Sequence, residues 1–300
     1  MNAPRPSIAV RGSKLDRPGW TAQPGVARIA RYPVLAFVAI AYALSWTAWA
    51  VGYGLFDGRG AIGTACFLLG GLGPFVAALV VSWLTGTADG FRTRLLRWRV
   101  APRWYAIALG GPVAFALGVV VLDGVLRGGR VDLDAIHPIA TLPVFVATGV
   151  LVGGLEEPGW RGFAQARLQR RHGALVATLA VGVAWIGWHF PLFVLPGTTQ
   201  SSVPFVAFAG MGLALAVVFA WVFNGAGESA VVAVLVHGAY NGTLGWSALL
   251  AATDAGRSTS ILAVGLAIVA LVVVLEGGPA TLANGSGRHD GGSCATGRDD

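Results

Sequence analysis

Eight runs of apolar residues, each near twenty residues long, occupy most of the chain between residues 33 and 276. A helical residue rises about 1.5 Å, so roughly 20 residues cross a hydrocarbon core about 30 Å thick. The runs fall at 33–55, 61–84, 103–126, 139–160, 174–195, 203–223, 229–250 and 260–276. The fourth is expected to continue as a helix past its apolar part. Composition points the same way. Apolar residues make up 55% of the 300 residues and charged ones 12%, about half the charged share of a soluble protein. So few charges cannot cover the surface of a soluble fold of this size, whereas lipid can. The expected fold is all-α, a polytopic membrane protein of about eight transmembrane helices.

The net charge of +7 is no nucleic-acid signal, because of where the cations lie. They cluster at Arg5, Arg11, Lys14, Arg17, Arg28 and Arg31, then at Arg92, Arg94, Arg97, Arg99 and Arg103, then at Arg167, Arg170 and Arg171. With eight spans and the N-terminus inside, all three clusters fall on the cytoplasmic side. The other side keeps Arg59, Arg127, Arg130 and Arg257. That asymmetry follows the positive-inside rule. It predicts a multi-pass protein of the cell membrane with both termini cytoplasmic, and the lipid bilayer rather than nucleic acid as partner. One lysine against twenty arginines hints at a GC-rich genome, consistent with a bacterial source.

Residues 1–31 are Pro-, Gly- and Arg-rich without periodicity and read as a disordered cytoplasmic tail. Residues 277–300, rich in Gly, Ser and Asp, read likewise. Between them, 32–276 form the membrane domain. The first apolar run is too long for a signal-peptide core, so no cleavage is expected. The segment 88–103 alternates basic residues with Phe91, Leu95, Leu96 and Trp98, which suits an amphipathic helix at the inner interface or a basic loop. Gly70-Gly71 and Gly110-Gly111-Pro112 lie within spans, where small residues permit close helix packing. Cys66 and Cys294 fit neither a disulfide framework nor a metal cluster.

Ionisable groups inside a span cost roughly 2.5–3.5 kcal/mol each at a helix centre, so they persist where they pair or work. Nearly all of them fall in the fourth, fifth and seventh runs. The fourth ends in Leu155-Glu156-Glu157-Pro158-Gly159-Trp160-Arg161. Glu157 and Arg161 have the spacing of a helical ion pair. Adjacent helical residues point about 100° apart, so Glu156 faces elsewhere, unpaired and suited to exchanging protons. The fifth run holds Trp185-Ile186-Gly187-Trp188-His189, and the seventh holds His237-Gly238-Ala239-Tyr240-Asn241. His237 and Asn241, four apart, project from one helix face. Each cluster alone can be helix-packing polar contact; three together are read most economically as one shared cavity.

Two chemistries suit this set. Glu156, His189 and His237 could hold a divalent metal such as zinc, since two His and a carboxylate form a common catalytic zinc set. Alternatively, Glu156 and His189 polarise a water while His237 and Asn241 stabilise an oxyanion, with no cofactor. Neither H-E-x-x-H nor G-x-S-x-G is present.

At these residues the chain resembles the family of CAAX proteases and bacteriocin-processing enzymes, whose eukaryotic members are type II CAAX prenyl endopeptidases. The family pattern is E-E-x-x-x-R, an aromatic-x-x-x-H, and H-x-x-x-N/D. Here these stand as Glu156-Glu157-Pro-Gly-Trp-Arg161, Trp185-Ile-Gly-Trp-His189 and His237-Gly-Ala-Tyr-Asn241. Trp185 replaces the commoner Phe, a departure expected to leave the polar groups untouched. Tyr42-Ala-Leu-Ser-Trp46, Gly73-Pro-Phe75, Trp160-Arg-Gly-Phe163 and Trp188-His-Phe-Pro-Leu192 extend the likeness, which runs from about residue 33 to 250.

The resemblance implies a membrane endopeptidase whose cavity opens to the cytoplasmic side and whose substrate is a membrane-associated peptide or protein. It implies Glu156 as the catalytic carboxylate and His189 as its partner. His237 and Asn241 would be the oxyanion pair, with Glu157, Arg161 and Trp185 supporting. Two other classes remain open on the sequence. One is a non-catalytic scaffold or bacteriocin-immunity protein of the same fold. The other is a proton-coupled transporter, although no duplicated broken-helix halves are seen.

Overall fold

The computed structural model describes residues 24–128, 136–249 and 255–283, and all their regular structure is helical. A short α1 (Pro24–Arg31) leads into α2 (Pro33–Phe56). Then come α3 (Gly60–Gly71), α4 (Gly73–Leu84), α5 (Ala88–Leu95) and α6 (Pro102–Leu126). The next passage is broken. It comprises α7 (Leu142–Val152), a 3-10 turn at Gly154–Glu156, a π-helix at Pro158–Gln165 and α8 (Ala166–His172). The chain closes with α9 (Ala174–Trp188), α10 (Phe205–Gly225), α11 (Ala230–Trp246) and α12 (Ala255–Gly277).

Five of these passages are long and apolar enough to cross a membrane, or six when the bent pair α3–α4 is counted as one span. The fifth and seventh expected spans are α9 and α11, of 15 and 17 residues, both shorter than the roughly 20 needed to cross alone. Large apolar side chains such as Leu35, Leu55, Val144, Val264 and Leu275 face outward. Glu156, Glu157, Arg161, His189 and His237 are buried. A polar interior within an apolar exterior suits lipid rather than water.

Prolines explain the breaks. A proline lacks the N–H that would bind the carbonyl four residues earlier. Pro74 therefore frees the Gly70 carbonyl, and the chain bends by 47° between α3 and α4. The Ser45 hydroxyl donates to that freed carbonyl at 2.7 Å. Pro158 similarly cannot bind Gly154, and the ladder resumes as a π-helix, a form that recurs at functional sites. Pro191 ends α9 and passes the chain into a 3-10 turn at Phe190–Phe193. At the end of α9 the Trp188 carbonyl accepts from Trp46 Nε1 at 2.9 Å, while Tyr42 donates to Ala184 O at 2.5 Å. Two residues of the Tyr42–Trp46 motif thus clamp α2 to the end of α9.

Several sequence expectations need correction. Residues 24–31, assigned to a disordered tail, form α1, in which Val26 is buried and Ile29 packs against the core. Residues 278–283 also dock. Ala280 O accepts from Ala174 N, Thr281 O accepts from Asn224 Nδ2, and Leu282 is buried. The rest of both expected tails, 1–23 and 284–300, lies outside the described residues. Of the segment 88–103, only Ala88–Leu95 and the start of α6 are helical. Gly70 sits where any side chain would strike the Trp49 ring, whereas a Cβ added at Gly110 or Gly111 would meet nothing within 4 Å.

The bundle has two unlike ends. At one, α5, α8, the start of α9 and the α10–α11 turn meet. Arg94 Nε donates to Gly162 O (2.8 Å), Arg167 Nη2 to Thr87 Oγ1 (2.5 Å), and Ser229 Oγ to Arg97 O (2.5 Å). At the other lie the ends of α2, α6 and α11, the start of α10, and the connector 189–204.

Candidate active site

The close approach of α7 and α11 sets the site. On α11, Gly238 and Gly242 abut the α7 backbone at Val150 and at Phe145–Val146, and Gly149 of α7 abuts Gly238. A methyl group at any of the three would collide with the opposing helix. Small residues four apart permit such contact between membrane helices. The result presents His237 and Asn241 to Gly153, where α7 ends. A Cβ built on Gly153 would lie 2.8 Å from His237 Nε2 and closer still to Asn241 Nδ2. Those two nitrogens therefore converge on one point, as the four-residue spacing predicted.

Glu157 and Arg161 pair as expected, Nη1 to Oε1 at 2.9 Å, both fully buried. The same Oε1 also receives His237 Nδ1 at 2.8 Å. A carboxylate oxygen accepts, so Nδ1 carries the proton and Nε2 is turned toward Gly153 and Asn241. That 80-residue-distant contact was not foreseen, and no local signal in the sequence announces it. The Arg161 guanidinium also rests near the Trp185 and Phe219 rings, 5.5 and 5.2 Å from their centroids.

Glu156 departs from expectation. Its carboxylate is not unpartnered, because Trp185 Nε1 donates to Oε2 at 2.7 Å. The Trp185 substitution therefore does touch the polar groups, since phenylalanine has no such donor. One turn on, His189 Nδ1 lies 2.8 Å from Trp185 O. A carbonyl can only accept, so in the neutral ring the lone pair sits on Nε2. Trp185 thus holds both Glu156, through its indole, and His189, through its carbonyl.

Glu156, Trp185, His189, His237 and Asn241 line one cavity of about 160 Å³. The convergence of three polar clusters expected from sequence is present. Its remaining wall is mostly apolar, from Trp49, Phe67, Phe208, Met211, Leu215 and Leu244. Tyr240, within the third motif, is a further wall residue that sequence reasoning did not single out. Gly153, packed against His237 Nε2 and Asn241 Nδ2, was also missed, and the Gly153-Gly154 doublet just before the carboxylates was the available clue to that close approach.

The expected metal set of Glu156, His189 and His237 does not fit. Among the described residues no three His, Cys, Asp or Glu side chains are gathered closely enough to hold a metal ion. The Trp185 ring packs at 87° to both imidazoles, with centroids 5.0 Å from His189 and 5.6 Å from His237, while its N–H occupies Glu156.

An all-α, multi-pass membrane protein with two carboxylates, two imidazoles and an amide drawn into its interior is the class that fold and site define. Residues 138–243, about a third of the chain and the part carrying all three motifs, match the Rce1-like family, described as type II CAAX prenyl endopeptidase Rce1-like. A stretch of 51 residues is 39% identical to CAAX prenyl protease 2 of Methanococcus maripaludis, covering 17% of this chain and 19% of that protein. The matched stretch thus spans about a fifth of that relative's length. The resemblance read from the three motifs holds over this region, and it supports a membrane protease of CAAX-protease type.

Proposed function

We propose that residues 32–276 form an intramembrane endopeptidase that hydrolyses a peptide bond of a membrane-associated protein or peptide. The observation that carries this reading is the single cavity onto which Glu156, His189, His237 and Asn241 all open. Glu156 is the catalytic carboxylate. It and His189 Nε2 hold a water against the scissile carbonyl, and Glu156 takes its proton as the water oxygen attacks. The carbonyl oxygen, now negative, lies above Gly153 between Asn241 Nδ2 and a protonated His237 Nε2. One such donor is typically worth about 2.7–4 kcal/mol of transition-state stabilisation. The C–N bond then breaks, and the proton held by Glu156 passes to the leaving amine.

Glu157 and Arg161 act through His237, fixing the ring that must donate. Trp185 does the same for Glu156 and His189. In this mechanism the water is activated by protein groups alone, without a metal.

Purified protein incubated with a library of membrane-inserted peptides tests the reading. Defined cleavage by wild type that is lost in Glu156→Ala is the expected outcome. Identical behaviour of the two would leave a scaffold or immunity role for the same fold. Uptake driven by a pH gradient in vesicles, without cleavage, would point to a transporter.

A further inference from the structure

The segment 88–103, with its alternation of arginines and apolar residues, contributes nothing to the wall of the catalytic cavity. Its arginines meet those of α8 at the end of the bundle where α5, α8 and the α10–α11 turn come together. Arg94 lies within electrostatic reach of Arg170 and Arg97, and Arg167 of Arg94 and Arg170. Two of the four guanidinium groups are held in place. Arg94 Nε donates to Gly162 O at 2.8 Å. Arg167 donates to Phe163 O and to Thr87 Oγ1, and its guanidinium lies 3.6 Å from the Phe163 ring centroid. Arg97 and Arg170 are exposed.

Four like charges gathered in this way call for a counter-charge. Among the described residues, Glu228 is the one carboxylate within ion-pair distance of any of the four, and it reaches Arg94 alone, at 3.6 Å. That separation is too long for a hydrogen bond. The other carboxylate oxygen of Glu228 accepts from Gln169 Nε2 at 3.1 Å. Burial lowers the Arg94 guanidinium from its ordinary value, Glu228 offsets this only in part, and Arg170 and Arg97 add to the lowering. Guanidinium groups fixed by their neighbours and short of negative charge suit phosphate, whose oxygens accept from their forked N–H groups.

The adjoining surface decides what carries the phosphate. Leu96 and Trp98 are 56% and 60% exposed on either side of Arg97, and Arg99 lies over the Trp98 ring, 4.9 Å from its centroid. Tyr105 Oη donates to Trp98 O and pins this turn to the start of α6. Exposed tryptophan and leucine among arginines belong in the headgroup layer of a bilayer. A free phosphate would satisfy the arginines and leave both apolar side chains in water, whereas a lipid covers them as well.

We propose that Arg94, Arg97, Arg167 and Arg170 bind the phosphate of an anionic lipid headgroup, with the lipid chains lying against Leu96 and Trp98. Glu228 competes with that phosphate for Arg94. The site shares no residue with the catalytic cavity and does not rest on the peptidase reading.

Full-length protein in phosphatidylcholine nanodiscs, given phosphatidylglycerol with a pyrene-labelled chain, reports binding by energy transfer from tryptophan; pyrene-labelled phosphatidylcholine is the reference. Phosphatidylglycerol should bind at least about 30-fold more tightly, and Arg97→Gln/Arg170→Gln should remove most of that preference, since two arginines at a charged membrane surface are together worth about this factor. Arg28→Gln/Arg31→Gln takes the same charge from exposed positions of α1 and should bind as wild type does. Glu228→Gln should tighten binding, a gain that damage to the fold would not produce. Inorganic phosphate, compared with chloride at equal ionic strength, should leave the lipid bound. Equal binding of the two lipids overturns the proposal, as does a preference lowered as much by the α1 variant as by Arg97→Gln/Arg170→Gln. Binding by Glu228→Gln no tighter than wild type also overturns it. So does displacement by phosphate beyond that by chloride, which would assign the arginines to a soluble phosphate instead.

Discussion

Gly153→Ala probes the oxyanion site without removing any polar group. The added methyl would sit 2.8 Å from His237 Nε2 and nearer to Asn241 Nδ2, about 1 Å inside ordinary van der Waals contact. Gly153 has φ −140°, so alanine introduces no backbone strain and the effect is steric. A displacement near 1 Å in a catalytic constellation costs on the order of 10²-fold, and loss of one oxyanion donor about 10²–10³-fold. The expected fall in kcat is therefore about 10²–10³-fold with KM little changed, read on a fluorogenic membrane peptide that wild type cleaves. Gly210→Ala, at a site with open space around it, is the control and should stay within about twofold of wild type. The double variant Gly153→Ala/Asn241→Ala should be no slower than Asn241→Ala alone, since the two changes act on one contact. Retention by Gly153→Ala of a third or more of wild-type kcat would show that nothing essential occupies the space above Gly153.

Other perturbations separate the supporting residues. Trp185→Phe removes the N–H donor to Glu156 and keeps an aromatic ring; a hydrogen bond to a charged group is worth about 1.5–3 kcal/mol. A drop in kcat of at least tenfold is expected, with thermal stability in detergent near wild type, and an unchanged kcat would mean that Glu156 is held by other means. Arg161→Ala leaves the Glu157 carboxylate buried without its cation, a change that costs about 3–5 kcal/mol in buried pairs. It should lower the thermal transition of the purified protein sharply, whereas Arg167→Ala at the partly exposed end should not. Removal of divalent metal by chelation should leave cleavage unaffected. Activity lost on chelation and restored by zinc would require the site to rearrange around a metal.

Much of the fold was legible because apolar run length alone decides where helices can cross lipid. All the long passages lie where the runs placed them. The length of α9 was not legible. The run 174–195 stays apolar past Pro191, and only the missing proline N–H stops the helix at Trp188. The π-helix at Pro158–Gln165 was hidden for a similar reason, since composition does not distinguish one helical ladder from another. Within the site, contacts three or four residues apart were readable, as Glu157–Arg161 and His237–Asn241 show. Contacts between helices were not. Whether Glu157 meets His237, or Trp185 meets Glu156, depends on how far each helix is rotated about its own axis. That rotation is set by distant features such as Gly149 against Gly238 and the Tyr42 and Trp46 clamps on α9.

Replacing Glu156 by glutamine most directly tests whether this carboxylate drives hydrolysis, because the amide keeps the shape and still accepts from Trp185 Nε1 yet cannot take a proton from water. Product formed by purified Glu156→Gln on a wild-type substrate should fall at least about 10³-fold, with thermal stability in detergent retained. Turnover within tenfold of wild type would contradict a role for Glu156 as the proton acceptor and, with it, the proposed peptidase mechanism.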